Sequence, residues 1–142
     1  MAIIASNLKK MGQPVFDQEK IEDWKEQAPA YYSQFEGVTY TGTFIVPRDQ
    51  IWYDPDEQIR QLKVIMENVP GLVKSFKREI DYNDPPPSIQ KIDKIYKGRA
   101  GWTRDEAFEQ LGWTHYFYDV LEFTNRRCRR RFMSATNRTF KP

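Results

Sequence analysis

The sequence predicts an α+β fold that is mostly helical, with about five short helices around one β-hairpin and extended N- and C-terminal arms. Three observations lead there. Only Val38 to Val46 combines β-branched and aromatic residues with strand-like alternation. Helix-start residues recur at Asp17, Asp54, Ser88, Thr103 and Thr114. The chain has 142 residues, and domains commonly run to roughly 100–200 residues. The expected organisation is an N-terminal arm over 1–16, a single helical-rich domain over 17–133 and a basic C-terminal tail over 134–142.

Gly12 and Pro14 interrupt any helical pattern in the arm. From Asp17 onward, Ile21, Trp24 and Ala28 fall on one helical face, and Pro29 is expected to end that helix. Val38, Tyr40, Phe44 and Val46 make the best strand, and Pro47-Arg48-Asp49 reads as a turn returning Ile51-Trp52-Tyr53 as hairpin partner. Asp54-Pro55-Asp56-Glu57 combines a capping aspartate, proline at the first helical position and acids at the positive end of the dipole. Ile59, Leu62, Ile65 and Met66 continue that helix until Pro70-Gly71, after which Leu72, Val73, Phe76 and Ile80 predict another. Pro85-Pro86-Pro87 reads as a stiff extended spacer. Ile89, Ile92, Ile95 and Tyr96 predict a helix capped by Ser88 and stopped by Gly98. Thr103 and Glu106 form a capping box with Trp102 as staple, ahead of a short helix through Ala107, Phe108 and Leu111 that Gly112 ends. Thr114 is expected to cap a last helix over 115–133, with Phe117, Leu121, Cys128 and Phe132 on its apolar face.

Charge is segregated. The chain holds 22 basic and 20 acidic residues for a net +2, yet residues 123–142 contain seven cations and no acid. Those cations are Arg126, Arg127, Arg129, Arg130, Arg131, Arg138 and Lys141. Five arginines in six positions exceed what a helix C-terminus needs, so they are expected to bind an anionic partner, either an acidic protein surface or nucleic acid. The 21 aromatic rings (9 Phe, 8 Tyr, 4 Trp) are more than a core of this size hides, and Tyr31, Tyr32, Trp52, Tyr53, Trp113 and Tyr116 are expected at a protein interface.

Catalytic signals are poor. His115, the single histidine, is followed by Asp119 and Glu122 at helical spacing, a set suited to acid–base work or weak metal binding, but no nucleophile or further ligand accompanies it. The single cysteine, Cys128, rules out an internal disulfide and reads as a core residue on an apolar stripe. No run approaches the roughly 18 apolar residues of a membrane span, and no secretory signal opens the chain. The setting expected is therefore a reducing compartment or a virion. The functional expectation is a non-enzymatic structural or accessory subunit of a larger assembly, with no metal or cofactor, docking through aromatic surface and the arginine-rich helix onto other protein subunits. The alternative is a small nucleic-acid-binding protein that uses the same helix.

Overall fold

The structure, a computed structural model, describes residues 12–136. Helix α1 (Gln18–Ser33) starts where expected, with the Asp17 carboxylate accepting from the amides of Glu19 at 3.0 Å and Lys20 at 3.4 Å. Pro29 does not end it. An interior proline costs about 3 kcal/mol of helix stability, and here the burial of Ala28 and Tyr32 on either side of it offsets that loss.

Strand β1 (Val38–Pro47) confirms the strongest strand signal, but Ile51-Trp52, which forms β2 (Ile51–Trp52), does not pair with it. Pro47 leads into a single 3-10 turn (Arg48–Gln50) whose Arg48 amide donates to the Thr114 carbonyl at 2.8 Å. The Arg48 guanidinium is held by Asp105 at 2.9 Å, Glu109 at 2.7 Å and the Trp113 carbonyl at 2.9 Å. These contacts send the chain to the far edge of the sheet, so no hairpin closes.

Asp54 caps α2 (Pro55–Phe76), its carboxylate accepting from the Asp56 amide at 2.9 Å. The two helices expected on either side of Pro70 are one, because Ile65, Val69 and Phe76 bury a continuous stripe across the proline. The helix expected over 89–98 is instead a hairpin of β3 (Ser88–Ile92) and β4 (Ile95–Ala100), with Asp93 at φ 55° in its turn. Helix α3 (Trp102–Leu111) lies as expected but begins two residues early, with Gly101 at the cap and Thr103 inside. Gly112 closes it in the left-handed conformation at φ 73°.

The long final helix is corrected to two elements, β5 (His115–Phe123) and α4 (Arg126–Thr136). Every residue from Tyr116 to Leu121 is buried, so this strand carries no polar–apolar alternation to betray it. The Asn125 side chain accepts from the Cys128 amide at 2.9 Å and starts α4.

The fold class is thus α/β around a central five-stranded mixed sheet of order β1-β5-β3-β4-β2, not helices around a hairpin. β1 and β5 are antiparallel, β5 and β3 parallel, β3 and β4 antiparallel, and β4 and β2 parallel. Two apolar clusters flank β5. One gathers Ile65, Val69 and Phe76 of α2 and Ala107 and Phe108 of α3 around Tyr116, Tyr118 and Val120. The other joins Ala28 and Tyr32 of α1 to Phe132 of α4 over Leu121 and Phe123. Among the described residues no helix is long and apolar enough to cross a membrane.

Gly98 separates the hairpin from the helix expected there. A methyl group at this position would overlap the ring of Tyr53, whose hydroxyl is buried. Gly98→Ala is expected to lower stability by about 1–3 kcal/mol in urea denaturation; a helical segment would gain stability from the same change.

Candidate functional site

A pocket of about 390 Å³ opens at the start of α3. Its floor and walls include Ser88, Gly101, Arg104, Asp84, Tyr31 and Phe132. The three prolines that precede β3 bring the chain past this point in extended form, and the backbone has to come close. Gly101 sits at φ 123°, and a Cβ there would lie 2.5 Å from that of Pro87. Only glycine fits both the conformation and the approach. Because glycine has no side chain to cap with, the first amides of α3 receive no side-chain acceptor.

Three groups face this helix end. Arg104, in the first turn, donates from Nη1 to the Pro85 carbonyl at 2.7 Å, which fixes its stem at the pocket wall. Ser88 is 1% exposed and its hydroxyl has no hydrogen-bond partner, an uncommon condition for a buried polar atom. Asp84 shares a hydrogen bond with Asp81. That bond, then partial burial and the neighbouring charge of Asp81, hold the Asp84 carboxyl above its ordinary range, against the pull of Arg104. Burial opposes ionisation of Asp81 as well, but the bond from Asp84 and the backbone amides of Asn83 and Asp84 keep its pKa below the usual range. Of the two carboxyls, Asp84, which lines the pocket, is therefore the one that takes up a proton first as pH falls.

Behind the wall lies Asp119 of β5, 0% exposed. It accepts from Trp24 Nε1 at 2.9 Å, from Thr43 Oγ1 at 2.6 Å and from the Tyr32 hydroxyl. Burial raises its pKa to about 6, with the bonds from Thr43, Tyr32 and Trp24 pulling the other way. Tyr32 also lines the pocket, stacks on Tyr40 at 5.8 Å between centroids, and is pushed up by burial first and by Asp119 second. The Tyr40 and Thr43 hydroxyls are 2.7 Å apart, completing the network.

The structure scatters the residues expected from sequence to act. His115, Asp119 and Glu122 do not converge: on a strand, residues four apart lie about 13 Å from one another, and Glu122 points to the opposite face from Asp119. Among the described residues His115 Nδ1 meets the Thr114 hydroxyl, at 3.0 Å. Among the described residues no three His, Cys, Asp or Glu side chains come together as a metal site. Of the expected interface aromatics, Tyr32, Trp113 and Tyr116 are buried in the core, and Tyr53 packs its ring 5.1 Å from Trp102. Three of these rings lie in the core and Tyr53 packs against it, since the two faces of a five-stranded sheet bury more rings than a hairpin does. Tyr31 borders the pocket and Trp52 is 47% exposed. Arg126, Arg127, Arg130 and Arg131 are exposed on α4, Arg131 reaching Glu36 at 3.2 Å, and Arg129 is half-buried. Arg138 and Lys141 lie outside the described residues. Cys128 is buried against Gly37.

Of the pocket residues, sequence reasoning points to Tyr31 and Tyr32 but not to Asp84, Ser88 or Arg104. Asp81 and Asp84 satisfy turn rules and Ser88 resembles a helix cap, so local rules absorb all three. The available signal is Gly101 at a helix start with Arg104 one turn in, which leaves free amides and a cation side by side.

No protein family matches the chain, and no curated protein matches it. Among solved structures, sulfiredoxin from Arabidopsis thaliana is similar over 56% of this chain and 84% of that one, at 24% identity and a TM-score of 0.47. A likeness of this degree carries no statement about activity, and the expectation of a chain without catalytic activity is not retained.

Asp119 gives a pH signature of stability. Its folded pKa of about 6 lies above the unfolded value of about 3.9, so the unfolded state releases its proton first. Between about pH 4 and pH 6 the folded state loses stability as pH rises, by about 3 kcal/mol from this group. Asp119→Asn removes that slope. Denaturant unfolding from pH 4 to 7 is expected to show the wild type's stability advantage over the variant shrinking as pH rises.

Proposed function

We propose that this chain binds a small anionic ligand, a phosphate or a phosphorylated compound, in the pocket at the start of α3. The observation that carries the reading is the Ser88 hydroxyl, buried and unpartnered, beside Arg104 and the uncapped amides of the helix. Amides at a helix N-terminus point at such a ligand, and the dipole favours its charge. Arg104 adds a guanidinium that can make two parallel bonds to phosphate oxygens. Ser88 donates to a third oxygen, which satisfies the hydroxyl that the free protein leaves unpaired. The hydrogen bond to Asp81 and partial burial hold the Asp84 carboxyl above its ordinary range, which eases the approach of an anion to the pocket as pH falls. Tyr31 and Phe132 offer apolar surface to the body of a larger ligand.

Calorimetric titration with inorganic phosphate and with pyrophosphate tests this. The wild type is expected to bind one of the two, and Arg104→Gln to weaken it about 10- to 100-fold. Ser88→Ala is expected to leave the free protein as stable or more stable, because a buried unpaired hydroxyl is removed, and still to weaken binding. A wild-type chain that binds neither anion overturns the reading.

A second reading, a subunit of a larger assembly that grips acidic neighbours through α4, is supported by the exposed Arg126, Arg127 and Arg130. Purification from the native source at low salt, followed by mass spectrometry of what stays attached, is its test; a chain recovered alone overturns it.

A further inference from the structure

Helix packing on one sheet face concentrates at its β1 side, where α1 lies on β1, and α4 touches β1, β5 and β4. Toward the β2 edge of the sheet Trp52 and Ile95 are exposed, and Gln90, Lys97 and Arg99 are half-buried. The register sets Trp52 beside Lys97 and Lys97 beside Gln90, so the three form a row across the strands about 10 Å wide. Two residues along β4 to either side, on the same face, stand Ile95 and Arg99.

The chemistry of this surface is specific. Trp52 is 47% exposed, and no other ring contacts it among the described residues. Lys97 Nζ sits 5.1 Å over its indole. Arg99 is half-buried, with Nε donating to Gln90 Oε1 at 2.9 Å and no carboxylate in ion-pair contact among the described residues. Burial, then the nearby Arg129 of α4, lower its pKa to about 10, with Asp54 as the acid that opposes them. Arg99 and Arg129 repel one another where α4 meets β4, and an anion bound there would relieve that repulsion. Exposed Arg126 and Arg130 extend the positive charge along α4.

We propose that this surface, Trp52, Gln90, Lys97 and Arg99 with Arg129 at its border, binds single-stranded nucleic acid. A flat sheet carrying an exposed indole offers a base its π-face, while cations follow the backbone. A duplex keeps its bases stacked away from such a ring, and an extended peptide would add to the free edge of β2 or β1 instead of lying on a face. The surface is separate from the pocket at α3, so the two readings stand or fall independently.

Fluorescence anisotropy of a labelled twelve-nucleotide oligothymidine, titrated with the full chain at several salt concentrations, tests the proposal. Binding is expected to weaken with salt at a log–log slope of about −2, from three phosphate contacts at about 0.7 each. Trp52→Ala is expected to lower affinity about tenfold or more. Lys97→Gln is expected to reduce the slope by about 0.7. Circular dichroism confirms that both exposed-site variants fold, and Arg104→Gln is expected to bind the oligonucleotide as the wild type does. An absence of binding, equal affinity of Trp52→Ala, tighter binding to a blunt duplex, or equal competition by polyglutamate overturns the proposal.

Discussion

A carboxylate without solvent contact organises this molecule. Leaving such a group buried and unpaired costs several kcal/mol, so Asp119 of the central strand requires donors, and three come from two different elements. Trp24 and Tyr32 belong to α1, and Thr43 belongs to β1. The carboxylate thereby fixes α1 over one face of the β1–β5 pair and fixes the register in which Thr43 lies opposite Asp119. A slip of one residue would turn Thr43 to the other face and strip the carboxylate of its threonine bond. The pocket inherits this order, because Tyr32, held by Asp119, forms part of its wall.

The same economy of contacts shapes the rest. Pro87 hands its carbonyl to the Asp119 amide at 3.0 Å, which locks the proline segment beside the central strand. Gly101 then meets Pro87 at closest approach, and Gly101 and Arg104 bring the start of α3 to the pocket wall. On the opposite end of the sheet, Arg48 ties the turn after β1 to α3 through Asp105 and Glu109. That clamp moves β2 to the far edge and leaves Trp52 exposed. Buried and open surfaces therefore follow from a few polar anchors as much as from apolar packing.

Local chemistry in the sequence marked where several elements begin. Asp17, Asp54 and Gly112 act as helix ends because their roles depend on neighbours within one turn. Val38 to Val46 reads as a strand because β1 is an edge strand with exposed and buried residues mixed along it. Residues 89–98 misread because Ile89, Ile92, Ile95 and Tyr96 fit a helical face and a hairpin alike. Pro29 and Pro70 misread as helix ends because their cost is local while the burial that outweighs it is not. The pocket was illegible for a related reason: Asp84, Ser88 and Arg104 each obey a local rule, and only the crossing of the proline segment over α3 gives them a common purpose.

By itself, the sequence determined the caps at Asp17 and Asp54, the stop at Gly112, the first strand, the basic character of α4 and the burial of Cys128, all of them properties set within a few bonds. Tertiary structure alone decided that 115–123 is the middle of a sheet, that β1 and β2 occupy opposite edges, and that Asp119 is a buried hub and not part of a histidine site. A strand covered on both faces has no periodic signature of its own. Its identity comes from the strands and helices that surround it, and those are distant in sequence.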